Sequence, residues 1–570
     1  MDIYAIILLK KIRTTVLIFF LSVSLSYATD FFHKSLDEQV TEALRERLAF
    51  SKEQRPVVCM GDQLCGSMVL PRFYGLRDFT PAWINDKGVS SQAYELVRAI
   101  REAADEGINP RDYHIGGIEM LLKDINASYL RKDNAPIEKM VELELLLSDA
   151  FFLYASHLTA GRVNPENIRT DWTIKTKHLD LVPILLDALA KGNISYALEK
   201  VNQQSPDYQR LKIASQSYKK FSENGGWPQI PAGPKMKKGD RGARIAILHS
   251  RLQISGDLSK TDKKDPGVFG DILEKAVLRF QSRHGLTEDG IVGHATLYEL
   301  NVSALARFKQ IMVNMERLRW LQRDFGPRYL FVNIADFKLS VVDENASILK
   351  MRVVVGKDYR QTPVFEGKMT YLVINPFWTI PPKLAEEDLL PLIKEDIEVI
   401  KRKKIRIYES WKENAREIDP GSVNWKMVNA DNFSYKLVQE PGPLNALGRI
   451  KFIFPNKFDI YLHDTPARNL FSREKRNFSS GCIRIEKPLE LATYLLHGNP
   501  NWTKQKLLDV IDSHETQIVG ISNPIAVKIL YFTAWVDEQG IVHFRNDIYQ
   551  RDKKLAKALE EKPPQDIYKR

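Results

Sequence analysis

The chain has 570 residues, of which 44% are hydrophobic and 27% are charged, and its formal net charge is +11. This length exceeds what one hydrophobic core supports and predicts three or four domains, while the composition is ordinary for a soluble globular protein. A basic surface suits an anionic partner, although diffuse basic charge is equally common as a solubility feature. Because no arginine-rich stripe with interleaved aromatic residues is present, the sequence argues against nucleic-acid binding.

The first 28 residues have the three-part form of a secretory signal peptide. Lys10, Lys11 and Arg13 precede an apolar run of 12 residues at 14–25, and residues 26–28 offer small side chains for cleavage. An uncleaved membrane anchor is the competing interpretation, but a span needs about 20 apolar residues. We therefore predict that residues 1–28 are removed and that the mature chain is exported and is not an integral membrane protein.

The chain contains three cysteines. Cys59 and Cys65 flank a short turn-like segment, and in an oxidising compartment they could close a small disulfide loop. This pairing would leave Cys482 alone. A single thiol in an exported protein is either buried and inert or chemically active, so its neighbours in the sequence must decide between the two.

Residues 29–230 predict an all-helical scaffold domain. The segment at 141–158 has the pattern of a long apolar helix that ends near Gly161, and the segment at 94–104 has that of an amphipathic helix that ends near Gly107. This region contains no catalytic motif. A linker rich in glycine and proline at 225–234 then separates it from the next domain.

Residues 236–302 predict a compact unit of three helices, at 243–252, 272–284 and 294–300. Gly285 stops the second helix, and a turn at residues 289–290 redirects the chain. The turn glycines and core positions follow the order Gly239-x-x-Gly242, Ala276-Val277-x-x-Phe280-Gln281, Gly285-Leu286 and Asp289-Gly290-x-x-Gly293. This order resembles the peptidoglycan-binding domain found on many enzymes of the bacterial cell wall.

Residues 305–550 predict a mainly-β domain. After a helix at 305–321, β-rich runs at 329–334, 338–343, 348–355 and 369–375 are separated by turn residues. Residues 383–443 interrupt this pattern, and a charged helix with an apolar stripe at 384–404 predicts a lid over the β core. The runs at 526–535 and 541–544 predict a β-hairpin, and residues 551–570 predict a C-terminal tail.

A candidate nucleophile and its base lie at 479–484 and 461–465. A thiol attacks an acyl carbon as thiolate, so Cys482 needs a base, and His463 supplies it if its strand lies beside the Cys482 turn. A third group must orient the imidazole, and both the backbone carbonyl and the carboxylate of Asp464 are placed to do so. Gly481 lets the backbone approach the substrate, so the N–H groups of residues 481 and 482 predict an oxyanion site. Arg484 would lower the thiol pKa and could bind a substrate carboxylate.

The two segments together, Tyr461-Leu462-His463-Asp464-Thr465 and Ser479-Ser480-Gly481-Cys482-Ile483-Arg484, resemble the signature of L,D-transpeptidase catalytic domains. Many members carry a second histidine directly before the glycine. Ser480 stands there in this chain, as in the periplasmic subgroup that carries a scaffold domain, so His463 is the single candidate base. The segments at 375–382 and 444–452 and the order of the three domains are similar to that subgroup too.

The resemblance implies an enzyme that cross-links peptidoglycan in the periplasm without metal, ATP or cofactor. Such enzymes attack the third residue of a tetrapeptide stem, usually meso-diaminopimelate, release D-alanine and form a thioester on the cysteine. A side-chain amine of a second stem resolves the thioester, which gives a 3→3 cross-link, and carbapenems acylate the same thiol. The implied partners are stem peptides and other wall-synthesis proteins. The substrate contacts implied by family role are Trp378, Asn445, Tyr461, Ser480 and Arg484.

Three other functions would use Cys482 and His463 differently or not at all. An L,D-carboxypeptidase or wall hydrolase would share Cys482 and His463 and differ only in using water, and the sequence leaves this alternative and the acceptor amine open. A non-catalytic wall-binding scaffold is disfavoured by the intact Cys482, His463 and Gly481. A zinc peptidase is disfavoured because the 11 histidines include no H-E-x-x-H motif or close pair. The sequence thus predicts a multidomain α+β protein with a helical scaffold, a three-helix wall-binding domain and a mainly-β catalytic domain with a helical lid insertion.

Overall fold

A computed structural model describes residues 35–49, 58–59, 62–66, 68–131, 136–168, 172, 174, 179–202, 205–259, 265–321 and 325–562. The predicted signal peptide at residues 1–28 lies outside these ranges. Among the described residues, no helix has both the length and the hydrophobicity that a membrane span requires.

The N-terminal region is a helical bundle, as predicted. Its helices are α1 Leu36–Ala49, α2 Leu70–Gly75, α3 Ser91–Arg101, α4 Ile115–Arg131, α5 Ile137–Ala160, α6 Leu181–Lys191, α7 Ile194–Val201 and α8 Pro206–Glu223. Two short hairpins join them, β1 Val58–Cys59 with β2 Asp62–Gln63 and β3 Ile84–Asn85 with β4 Gly88–Val89. Because α5 is apolar on nearly all sides, it is buried along its length and the other helices pack around it.

The predicted three-helix unit is also present. Its helices are α9 Ala243–Ile254, α10 Asp271–His284 and α11 His294–Asn301, packed around Leu248, Phe280 and Leu300. Gly285 ends α10 with a φ of +67°, which a glycine adopts without strain. At the base of the unit, Ile230 and Asn301 exchange two hydrogen bonds of 2.9 Å, so the chain enters and leaves the unit at one point.

Helix α12, Ala304–Trp320, lies between the scaffold and the catalytic region. It packs against α8, and side chains of both helices share one hydrophobic cluster. Arg319 donates to the hydroxyl of Tyr208 at 2.6 Å, and Glu316 accepts the N–H of Val163 at 2.7 Å. The scaffold and the catalytic region are therefore held by a buried interface and not by a free linker.

The region that follows α12 contains a closed β-sheet. The strands that follow α12 in the chain are β5 Tyr329–Asn333, β6 Lys338–Asp343, β7 Ala346–Gly356, β8 Phe365–Ile374, β9 Trp378–Thr379, β10 Ile405–Tyr408, β11 Lys436–Gln439, β12 Ile450–Ile453, β13 Leu462–His463, β14 Asn477–Ser479, β15 Ile483–Ile485, β16 Gln517–Leu530, β17 Ala534–Val536 and β18 Val542–Phe544. Of these described strands, nine pair in the order β14-β7-β15-β13-β12-β8-β16-β5-β6, and β6 also pairs with β7. This last pairing closes the sheet around a core that includes Leu330, Leu372 and Phe452.

The insertion expected at 383–443 is a small cap with its own core. Strands β9, β10 and β11 form a separate sheet in the order β10-β11-β9, which the sequence did not predict. The helical stretch is divided into α13 Pro382–Leu384, a π-helical turn Ala385–Leu389, α14 Leu390–Glu395 and α15 Glu398–Arg402. The predicted single helix is wrong because Asp396 leaves the helical conformation and its carboxylate accepts the N–H of Glu398 at 3.0 Å, which starts a new helix. Of the apolar stripe, Leu389, Leu390, Ile393 and Ile400 are buried, whereas Ile397 is exposed.

The C-terminal part differs from prediction in two places. The segment at 526–535 is not one arm of a hairpin, because residues up to Leu530 belong to β16 and only β17 pairs with β18. The segment at 551–570 is not simply a tail, because α18 Arg551–Glu560 packs on the catalytic core through the buried Leu555. Two further helices, α16 Pro488–Leu495 and α17 Lys504–Ser513, cover the sheet.

Candidate active site

Three neighbouring strands bring the predicted site residues to one face of the sheet. His463 on β13 faces Arg484 on β15 on one side and Lys451 on β12 on the other. The carbonyl of Tyr461, two residues before His463, accepts the N–H of residue 483 at 3.1 Å, which sets Tyr461 beside Cys482. Because alternate residues of a strand point to the same face, these five side chains share one side of the sheet. All five line a cleft of about 1370 Å³ between the sheet and the cap.

His463 is held as a neutral imidazole with its base nitrogen available. Its Nδ1 lies 2.6 Å from the backbone carbonyl of Asp464. Since a carbonyl only accepts, Nδ1 carries the proton and Nε2 is left as the basic nitrogen. Burial, followed by the charge of Arg484, lowers the pKa of His463 to about 3, so the ring is uncharged at neutral pH.

The carbonyl of Asp464, not its carboxylate, orients His463. The carboxylate accepts the N–H of Arg449 at 2.9 Å and pairs with Arg468 at 3.3 Å. This arrangement depends on Gly448, because a Cβ there would lie 2.4 Å from the Asp464 carboxylate. Of the two alternatives that the sequence left open, the structure therefore selects the backbone group.

Cys482 is half-buried at the start of β15, with its Sγ 3.7 Å from the carbonyl oxygen of Asp459. Burial raises the pKa of the Cys482 thiol, and hydrogen bonds from Tyr461 and the charges of Lys451 and Arg484 oppose this only in part. The expected lowering of the thiol pKa by the charge of Arg484 is present, but burial outweighs it, so the pKa of Cys482 is raised overall. The resting pair is a protonated thiol and a neutral imidazole.

The loop before Cys482 is fixed by its own hydrogen bonds. Gly481 has a φ of +116°, a conformation that side chains with a Cβ rarely adopt. Its N–H donates to Ser479 Oγ at 3.2 Å, and its carbonyl accepts from Thr362 Oγ1 at 2.7 Å. Because the Gly481 N–H already has a partner, the prediction that it serves an oxyanion site is not supported by this conformation.

Within the described ranges, no carboxylate forms an ion pair with the Arg484 guanidinium. Its Nη1 makes a long contact of 3.5 Å with Thr465 Oγ1, and its buried Nε has no hydrogen-bond partner among the described residues. Burial lowers the pKa of this guanidinium. An unpaired guanidinium two residues from the thiol can bind a carboxylate with two parallel hydrogen bonds.

Ser480 contacts the cap through an arginine that the sequence did not single out. Its hydroxyl lies 2.9 Å from Arg360 Nη1. Arg360 also pairs with Asp388 at 2.6 Å and with Glu387, both in the cap. One guanidinium thus connects the loop of Cys482 to the cap.

The structure places Trp378 and Tyr461 in the cleft, as expected. It does not bring Asn445 there. Asn445 is 1% exposed and donates to the carbonyls of Pro376 at 3.0 Å and Glu440 at 2.9 Å, while its Oδ1 accepts from Leu447 at 2.8 Å. Asn445 is a structural residue that ties the end of the cap to the sheet.

Cys59 and Cys65 lie in the N-terminal helical region, away from the cleft. Cys59 is a buried thiol in the scaffold core, so the predicted disulfide with Cys65 is absent from this structure. For the exported protein in an oxidising compartment, the disulfide stays a prediction.

Lys451, like Arg360, is a cleft residue that the sequence did not single out. Its Nζ lies 3.8 Å from the centre of the Tyr461 ring, and burial lowers its pKa. The alternation of apolar and charged residues in β12 indicates that Lys451 faces away from the core, but only the pairing of β12 with β13 shows that it faces the site. Among the described residues, no group of three or more histidine, cysteine, aspartate or glutamate side chains is arranged to hold a metal ion.

Three family models match the chain. The model described as "Scaffold domain" matches residues 69–214, "Putative peptidoglycan binding domain" matches 241–300, and "L,D-transpeptidase catalytic domain" matches 327–502. These ranges fall within the helical bundle, the three-helix unit and the β domain with its cap.

A curated protein of Haemophilus influenzae with the name "Putative L,D-transpeptidase" is 35% identical over 278 residues, which are 47% of this chain and 55% of that protein. The chain therefore spans about half the length of this relative. Among solved structures, an L,D-transpeptidase from Xylanimonas cellulosilytica is 14% identical and covers 53% of this chain and 99% of its own, with a TM-score of 0.16. One from Stackebrandtia nassauensis is 13% identical and covers 53% and 96%, with a TM-score of 0.20. At these TM-scores the likeness supports no residue-by-residue comparison.

Proposed function

We propose that this chain forms 3→3 cross-links in peptidoglycan through a thioester on Cys482. Residues 327–502 match the model of the L,D-transpeptidase catalytic domain, and the segments before them match the models of a scaffold domain and a peptidoglycan-binding domain. The observation that carries the proposal is the pairing of β13 with β15. It sets a neutral, oriented imidazole beside the strand of a single thiol, with an unpaired guanidinium on the same face.

The first half-reaction acylates the enzyme. Nε2 of His463 takes the thiol proton as Sγ attacks the carbonyl carbon of the third residue of a tetrapeptide stem. The bond from this carbon to the nitrogen of the terminal D-alanine breaks, and the imidazolium returns the proton to the leaving amine. The products are a thioester on Cys482 and free D-alanine.

The second half-reaction transfers the acyl group. A neutral side-chain amine of a second stem attacks the thioester, and His463 takes the proton that the amine loses. The carbon–sulfur bond breaks, and the thiolate recovers a proton from the imidazolium. The energy of the original peptide bond is retained in the thioester, so the step needs no ATP.

The cap supports transfer to an amine over hydrolysis. It covers the cleft with apolar side chains that include Leu384, Leu389 and Leu392. A covered cleft reduces the access of water to the thioester, and a docked amine then has the advantage. An L,D-carboxypeptidase would share both the thiol and the base, so the product must distinguish the two.

The setting proposed for this reaction is the periplasm. Two of the three matched domains concern the cell wall, which supports an exported protein that is delivered to its polymer by the module at 241–300. Stem peptides of peptidoglycan are the proposed substrate, and other wall-synthesis proteins are possible partners.

The test is to incubate the purified chain with tetrapeptide-rich sacculi and identify the muropeptides by mass spectrometry. We expect dimers joined through the third residues, together with free D-alanine. The Cys482→Ala variant is the matched control and should give neither. Release of D-alanine with only tripeptide monomers would contradict transpeptidation and establish a carboxypeptidase.

A further inference from the structure

Two cations flank the catalytic imidazole in one row across the sheet. Lys451 on β12, His463 on β13 and Arg484 on β15 are direct cross-strand neighbours. Adjacent strands lie about 4.8 Å apart, so the backbones of Lys451 and Arg484 are roughly 10 Å apart with His463 midway between them. The scissile bond must lie at His463, and a cation therefore stands on each side of it.

Neither cation has an acidic partner in the part of the chain that the structure describes. Among the described residues, no carboxylate lies within ion-pair distance of Lys451 or Arg484, whereas Arg360 at the same cleft has two carboxylate partners and Lys528 has Glu366 at 2.9 Å. Lys451 instead rests on the ring of Tyr461, and the exposed Asp459 and the Cys482 thiol are the acidic groups that influence it. A half-buried cation without a partner is costly to the fold, and an anionic ligand can offset that cost.

The two cations differ in the kind of carboxylate that each binds well. A planar guanidinium fits a fixed terminal carboxylate through two parallel hydrogen bonds, whereas an ammonium on a flexible stem fits a mobile side-chain carboxylate as a point charge. The proposed donor carries a carboxylate on its leaving D-alanine, and a second one on its third residue when that side chain is a free acid. We infer that Lys451 is a specificity-determining residue that binds the side-chain carboxylate of the third donor residue, so that the enzyme selects free-acid donors over amidated ones.

This inference rests on the proposed function for the identity of the donor, but its test does not require turnover. Two synthetic tetrapeptides that differ only in a carboxylate or a carboxamide on the third side chain are titrated by calorimetry into the full-length Cys482→Ala protein. We expect the free acid to bind at least about tenfold more tightly, as a lost charge-assisted hydrogen bond predicts. Adding Lys451→Met should remove this preference, and adding Lys451→Arg should retain most of it.

Arg484→Met is the matched control, since it removes the other cation of the row. It should weaken both peptides and leave the preference for the acid unchanged. Equal binding of acid and amide by the parent protein overturns the inference, and so does a preference that survives Lys451→Met. Equal weakening of both peptides by Lys451→Met also overturns it, because Lys451 would then act through Tyr461 and not on the donor. Failure of the proposed function would appear separately, because the parent protein, with Cys482 intact, would then release no D-alanine from the donor.

Discussion

The scaffold and the cleft both hold ionisable groups that are at least half-buried, and the two regions satisfy these groups in opposite ways. In the scaffold, the carboxylate of Glu144 is fully buried and accepts the N–H groups of Ala82 at 2.8 Å, Trp83 at 2.7 Å and Ile84 at 2.8 Å and the hydroxyl of Tyr74 at 3.0 Å. In the cleft, Arg484 and Lys451 lack any acidic partner among the described residues. The chain itself supplies the hydrogen-bond partners of the Glu144 carboxyl group, which therefore specifies the fold. The cations of Arg484 and Lys451 are left for a ligand to pair with.

The largest expected effect is the loss of activity when Cys482 or His463 in the cleft is replaced. Cys482→Ala should abolish both cross-linking and covalent capture by a carbapenem, because acylation requires the sulfur. His463→Ala should slow acylation by about 10²–10⁴-fold while the fold is kept. Intact mass after incubation with a carbapenem measures both. A His463→Ala protein that is acylated at the parent rate would contradict the role of this base.

Glu144→Ala tests whether the hydrogen bonds of the Glu144 carboxyl group stabilise the scaffold. Three backbone N–H groups would lose their acceptor, so we expect the free energy of unfolding to fall by about 3 kcal/mol or more. Urea unfolding monitored by circular dichroism measures the loss. Carbapenem capture by the folded fraction should be unchanged. A variant with unaltered stability would show that the network around Glu144 does not specify the fold.

Glu144 also gives the scaffold a dependence on pH. Burial raises the pKa of Glu144 to about 7, against about 4.3 in an unfolded chain. A group with a raised pKa in the folded state contributes stability that is present below the unfolded pKa and is lost as pH rises through the folded one. The unfolding free energy should therefore decline between about pH 4.5 and 7, and Glu144→Gln should remove this part of the decline.

Arg484→Met tests whether the Arg484 charge serves a ligand and not the fold. Donor acylation should fall about tenfold to a hundredfold, because a charge-assisted contact is lost. The free energy of unfolding should not fall, since the guanidinium has no acidic partner to leave behind. Parallel measurement of D-alanine release and urea unfolding tests both statements. A large loss of stability would mean that the fold, and not a ligand, uses this charge.

The reactivity of the thiol should follow pH without a histidine inflection. Because burial raises the pKa of Cys482, the thiolate fraction should still be increasing from pH 7 to 9. The pKa of His463 is held at about 3, so its charge does not change in this range. Iodoacetamide rates with mapping of the labelled cysteine measure this profile. A plateau below pH 8 or an inflection near 6.5 would indicate a thiolate–imidazolium pair instead.

The smallest effect is expected at the cap. Asp388→Asn weakens the contact with Arg360 that links the cap to the loop of Cys482. A looser cap admits water, so the share of hydrolysed tripeptide should rise about twofold to threefold while acylation is kept. Glu395→Gln, an exposed cap residue outside the cleft lining, is the matched control. An unchanged product ratio would mean that this contact does not hold the cap closed.

Elements with a strong local pattern could be predicted from the sequence. The apolar run in α5 and the turn glycines of the three-helix unit each identify a structure without knowledge of distant partners. Strand β16 was only half predicted because Pro524 interrupts its pattern, and the structure accommodates this residue at a register shift between Gly520 and Ile525. The short strands of the cap were missed because β10 directly follows a helical stretch.

The site was predictable to the extent that its residues are adjacent in sequence. His463, Cys482 and Arg484 were found because a short signature contains them. Asn445 was misplaced, since an asparagine that satisfies backbone carbonyls in a turn has the same local sequence as one that binds a ligand. Lys451 was missed because its role depends on the register between β12 and β13, and a single sequence does not contain that register.

The closed base of the three-helix unit has an evolutionary consequence. The two hydrogen bonds between Ile230 and Asn301 hold the entry and exit of the unit together, while α8 and α12 pack against each other directly. A segment whose ends meet can be gained or lost in one insertion or deletion without separating the elements on either side. Gain or loss of the unit would therefore leave the packing between α8 and α12 in place.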